Sequence, residues 1–105
     1  MKSPIGGTPG QKISALGMSW YRESNYAAAR AIMADAHTLP PTFAAWLAVA
    51  QKREGELTRD GHKVIRAIID PQTFPKWCAR QGFMQIDARA RTAWGADYAA
   101  RQIGL

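Results

Sequence analysis

The chain holds 105 residues, 47% of them apolar and four of them tryptophan, which is enough for one core and too little for two, and wholesale disorder is excluded. Cys78 is the only cysteine, so no intramolecular disulfide can form and a reducing, cytoplasmic setting is expected. A formal charge of +6 and a pI near 10.0 favour a nucleic acid or an acidic protein as partner.

Residues 1–17 carry Pro4, Gly6, Gly7, Pro9 and Gly10 with few large apolar groups. Such a stretch cannot repay its ordering entropy locally, so it reads as a flexible N-terminal tail before a single helical domain over 18–105. Ile13, Ala15 and Leu16 could still dock as a short strand, and Met18 offers an alternative start.

A first helix is predicted from Glu23 or Ser24 to about His37, with Ser24 or Asn25 as its cap. Tyr26, Ala29, Ile32, Met33 and Ala36 form its apolar stripe before Pro40 and Pro41 stop it. The second helix opens near Pro41 or Thr42 and runs to about Arg59. Phe43, Trp46, Leu47 and Ala50 line one face, and its longest apolar run, Phe43 to Ala50, is too short to cross a bilayer. No membrane partner is expected.

Lys63 to Ile69 is the one predicted strand, since Val64, Ile65, Ile68 and Ile69 are β-branched and both faces are apolar. A short third helix follows Thr73, with Pro75 in its tolerant first turn, Phe74, Trp77 and Cys78 inward, and Gly82 as its end. Asp87 caps a fourth helix to about Gln102 that buries Ala90, Trp94 and Tyr98. The expected fold is therefore mostly α, α+β with one short strand, in the order α-α-β-α-α. A lone strand leaves costly unpaired backbone groups. Pairing across a homodimer is the favoured solution, with the N-terminal segment as the alternative.

No catalytic, metal or cofactor motif stands out. Cys78, His37 and His62 lie too far apart in sequence to be read as a nucleophile with its base or as a zinc set. Gly6-Gly7-Thr8-Pro9-Gly10 lacks the strand before and the lysine-serine helix start after that a phosphate loop needs. Trp20, Tyr21, Trp46, Trp77, Trp94 and Tyr98 could line a pocket, but aromatics at helical spacing usually form core.

The basic residues are more suggestive. Arg89 and Arg91 open the last helix, where acidic groups normally complement the dipole. With Lys76 and Arg80, and with Arg66 on the strand, they are the candidate contacts for phosphates or for a partner's carboxylates. Asp87 with Arg91, and Asp97 with Arg101, could instead be ordinary i,i+4 pairs. A strand followed by two helices resembles, in order alone, the ribbon–helix–helix repressors, which implies paired strands of a dimer in the major groove. The likeness departs from them in the two preceding helices and in Val64 and Ile68 beside Arg66. The sequence thus suggests a non-catalytic binding or regulatory protein associated with nucleic acid through its basic C-terminal helix. A protein-interaction adaptor, or a small-ligand or enzymatic site at a dimer cleft, are the alternatives.

Overall fold

Within Ser14–Trp20 the small Ala15, Gly17 and Ser19 alternate with the large apolar Leu16, Met18 and Trp20, the two-residue period of a strand with unlike faces. In the computed structural model, which describes residues 14–104, this segment is strand β1. It runs parallel to β2, His62–Ile68, in the register Ser14↔His62, Gly17↔Ile65 and Trp20↔Ile68. Parallel neighbours need a long crossover, and here it runs through residues 21–61.

That pairing overturns the expected α-α-β-α-α order. Among the described residues the order is β-α-α-β-α-α, with 3₁₀ turns at Glu23–Asn25 and Ala36–Thr38. One edge of β2 bonds to β1 of the same chain, so of the two expected solutions the N-terminal segment, rather than a second copy in a homodimer, supplies the partner strand. The paired ribbon of the repressors is overturned too, because β2 is pinned in a parallel pair between helices. Ser14–Gly17, placed by sequence in the tail, lie inside β1, as does Met18. The rest of the expected tail, 1–13, lies outside the described residues.

The crossover opens with α1, Tyr26–Ala31. The single helix expected from Glu23 to His37 is broken because tertiary bonds compete for its last turns. The Ala34 amide donates to the Ile86 carbonyl at 2.7 Å, and Asp35 is drawn to Arg91. The Tyr26 hydroxyl donates to the Pro40 carbonyl, anchoring the segment that leads into α2, Phe43–Arg59. Thr42 caps α2 by accepting from the Ala45 amide at 3.1 Å.

Helix α2 packs on one face of the sheet. Trp20 meets Trp46 edge-on at 5.0 Å, and Tyr21, Tyr26 and Phe43 close around the same indole. Beyond β2, Asp70 folds the loop by accepting from the Gln72 and Thr73 amides, and α3 runs over Phe74–Arg80 with Pro75 in its first turn. Gly82, at φ +83°, ends it: the Phe83 amide turns back to the Cys78 carbonyl at 2.9 Å.

Helix α4, Ala88–Gln102, covers the opposite face. Asp87 caps it through the Arg89 and Ala90 amides. Trp94 donates its indole N–H to the Ala67 carbonyl at 3.3 Å and joins Phe74 and Trp77 in a second aromatic cluster. Contact is closest where two glycines meet. A Cβ built on Gly17 would lie 1.7 Å from the Gly95 carbonyl oxygen, and one on Gly95 would lie 2.7 Å from that of Gly17. Backbone therefore rests on backbone at that crossing. No helix among the described residues is long and apolar enough to cross a membrane.

Candidate functional site

The five basic residues singled out in the sequence do not form one patch. Arg91 is buried, with 9% of its surface exposed. Its guanidinium grips Asp35 with both arms, Nη1 to Oδ1 at 2.7 Å and Nη2 to Oδ2 at 2.9 Å, and also donates to the Met33 sulfur. Asp35 accepts the Ala88 amide as well. The i,i+4 partner expected for Arg91, Asp87, is occupied instead as the cap of α4. The expectation that Arg91 contacts phosphates or a partner's carboxylates is therefore corrected: it fastens the segment after α1 to the start of α4.

Arg66 is exposed but engaged. Its Nε and Nη2 reach the two Glu54 oxygens on α2 at 2.7 and 2.8 Å, and its guanidinium lies 4.0 Å from the Trp20 ring centroid. Arg89 is exposed beside Phe83 and Thr92. Lys76 and Arg80 are exposed one turn apart on α3. Asp97 and Arg101 do pair, at 3.0 Å.

Electrostatics follow this layout. The hydrogen bonds from Arg91 hold the Asp35 carboxyl below the usual carboxylate range, and those from Arg66 do the same for Glu54. Tyr21, 2% exposed, has a hydroxyl with no partner among the described residues, and burial pushes its pKa up to about 12. Cys78 is fully buried, and burial, then the charge of Asp87, pushes its thiol up. A thiol so placed is a poor nucleophile. His62 is engaged elsewhere, its Nδ1 lying 2.9 Å from the Ser14 hydroxyl. No cluster of three or more His, Cys, Asp or Glu among the described residues could hold a metal ion.

The feature that sequence reasoning missed lies along β1. A groove of about 350 Å³ is lined by Leu16, Gly17, Met18 and Ser19, by Arg53 and Leu57 of α2, and by Arg91 and Thr92 of α4. Side chains of consecutive strand residues point to opposite faces. A groove that touches four in a row, with a helix from each face as its walls, is therefore floored by the strand's own edge. A second hollow, of about 290 Å³, continues past Ala15, Leu16 and Gly17 against Thr92, Ala96, Ala100 and Ile103. Among the described residues β1 pairs with β2 alone, so this outer edge presents unpaired backbone groups. The small–large alternation of 15–20 is the signal that could have found the strand, though not its open edge.

No family model matches the chain, and neither the curated proteins nor the solved structures contain a match.

Proposed function

We propose that the chain is a non-catalytic binding module that takes an extended, acidic peptide segment along the outer edge of β1. The observation that carries this reading is the groove floored by that edge. A row of unpaired amides and carbonyls is satisfied best by another extended backbone. The small residues Thr92, Ala96 and Ala100 of the α4 wall leave room for its side chains. Arg53, 61% exposed and held only loosely by Glu56 at 3.6 Å, stands at the rim, and with the net charge of +6 it favours carboxylates. The lone cysteine supports a reducing, cytoplasmic setting.

An alternating Glu/Val octapeptide is the probe. It should shift the backbone amide resonances of residues 15–19 saturably, and an exposed wall substitution that adds bulk and like charge, Ala96→Glu, should abolish the effect while the melting temperature stays unchanged. Amides 15–19 that ignore the peptide would refute the reading. A second copy of the chain offering its own edge would appear as a mass near twice 11.6 kDa in sedimentation.

Nucleic-acid association is the second reading, favoured by the exposed Lys76, Arg80 and Arg89 and by the net charge. Absence of duplex binding at 50 mM salt, where phosphate contacts are strongest, would end it.

A further inference from the structure

Helices α3 and α4 each bring an arginine to one small cavity beyond the carboxyl end of β2, remote from the β1 edge. Its lining is Asp70, Thr73, Phe74, Trp77, Arg80, Trp94 and Arg101, and its volume is about 150 Å³, room for about five water molecules. None of these residues lines the β1 groove, so the two sites stand or fall separately.

The floor is aromatic and rigid. Phe74 stacks on Trp77 at 6.0 Å, Trp77 meets Trp94 edge-on at 5.3 Å, and the Trp94 indole N–H is fixed on the Ala67 carbonyl. The rim is cationic. Arg101 lies 5.5 Å from the Trp94 ring centroid and 5.9 Å from that of Tyr98, within cation–π reach of both rings and with N–H groups left for another acceptor. Its one ionic partner among the described residues, Asp97, is a solvent-exposed i,i+4 contact of the kind that stabilises little. Arg80 has no ion-pair partner among the described residues. Asp70, the one acid in the lining, accepts the amides of Gln72 and Thr73 at Oδ1, and its single charge is outweighed by those of Arg80 and Arg101.

Two guanidinium forks over an aromatic floor suit a planar or tetrahedral oxyanion, since each can donate two parallel N–H bonds to it. The carboxyl ends of parallel strands are also where such sites form in layered α/β folds. We propose that this cavity binds a compact oxyanion, a carboxylate or phosphate group, between Arg80 and Arg101.

The test uses the full chain and follows the indole N–H resonances of Trp77 and Trp94 during titration with inorganic phosphate, with acetate, and with chloride at matched ionic strength. A saturable shift with phosphate or acetate, absent with chloride, is expected. It should weaken at least tenfold in Arg80→Met and in Arg101→Met, which keep the apolar stems. Tighter phosphate binding identifies a phosphorylated ligand, and tighter acetate binding a carboxylate. A shift that grows linearly with concentration, that chloride reproduces, or that survives in both variants would overturn the proposal. Both substitutions are at exposed positions, and an unchanged melting temperature separates lost binding from lost fold.

Discussion

Gly17→Ala should unfold most of the protein or lower its melting temperature by about 12–24 °C, the equivalent of about 3 kcal/mol in a domain of this size. Overpacking a well-filled site costs about 1–3 kcal/mol when neighbouring side chains can give way. Here they cannot, because the added methyl would stand 1.7 Å from the backbone oxygen of Gly95. The whole of α4 would have to lift from β1, opening the contact that seats the helix on the sheet. Gly95→Ala, at 2.7 Å from the Gly17 oxygen, should act in the same direction but less. Gly61→Ala is the comparison: nothing lies within 4 Å of its added carbon, so only its φ of +94° is strained, at about 1 kcal/mol. Equal thermal melts for Gly17→Ala and Gly61→Ala would show that the crossing is looser than drawn.

Arg91→Ala should cost about 3–5 kcal/mol, the usual penalty for stranding one member of a buried ion pair, whereas Arg89→Ala two positions earlier should stay within about 0.5 kcal/mol. The removed guanidinium leaves Asp35 half-buried with a lone amide, from Ala88, as its remaining tertiary donor. Urea unfolding of the two variants measures the contrast. A mild Arg91→Ala, matching Arg89→Ala, would mean that the Asp35 contact is not closed in solution.

The same pair sets an acid limit. Asp35 and Glu54 both have carboxyl pKa values lowered by the arginines that bond them. The folded state then binds fewer protons than the unfolded chain, so stability rises with pH across the carboxylate range. This contribution is complete above the ordinary carboxylate pKa of about 4 and is lost as pH falls through the lower folded values. Melting temperatures should fall steeply below about pH 4, and Asp35→Asn should flatten that fall. A wild-type melt that is level from pH 6 to pH 3 would contradict the pairing.

The sequence carried the later elements well and the earlier ones poorly. Thr42, Asp87, Pro75 and Gly82 mark helix boundaries through local bonds, which a one-dimensional pattern records. Residues 15–20 carry the alternation of a strand, yet Gly17 and the glycine-rich stretch before it read as tail. Gly17 is there for Gly95, a partner far along the chain, and local pattern holds no trace of such a contact. The broken first helix has the same cause, since Ile86 and Arg91 lie on a distant segment. Arg91 shows the limit for sites: its charge and position predict a surface residue, and only Asp35, brought near by the crossover, makes it an interior one. The β1 groove was illegible for the further reason that its floor is backbone, which every sequence possesses equally.

The register that joins Ser14 to His62 also constrains how the protein is made. On a ribosome β1 emerges before β2 and cannot make this pairing until β2 follows, a wait of about 2–10 s at ordinary elongation rates of about 5–20 residues per second. For that interval its Leu16, Met18 and Trp20 side chains and both of its edges are open to any chaperone or neighbouring nascent chain. Slow codons placed between the two strands would lengthen that exposure, and a permuted chain that begins at β2 and ends at β1 would move the vulnerable period to the other strand.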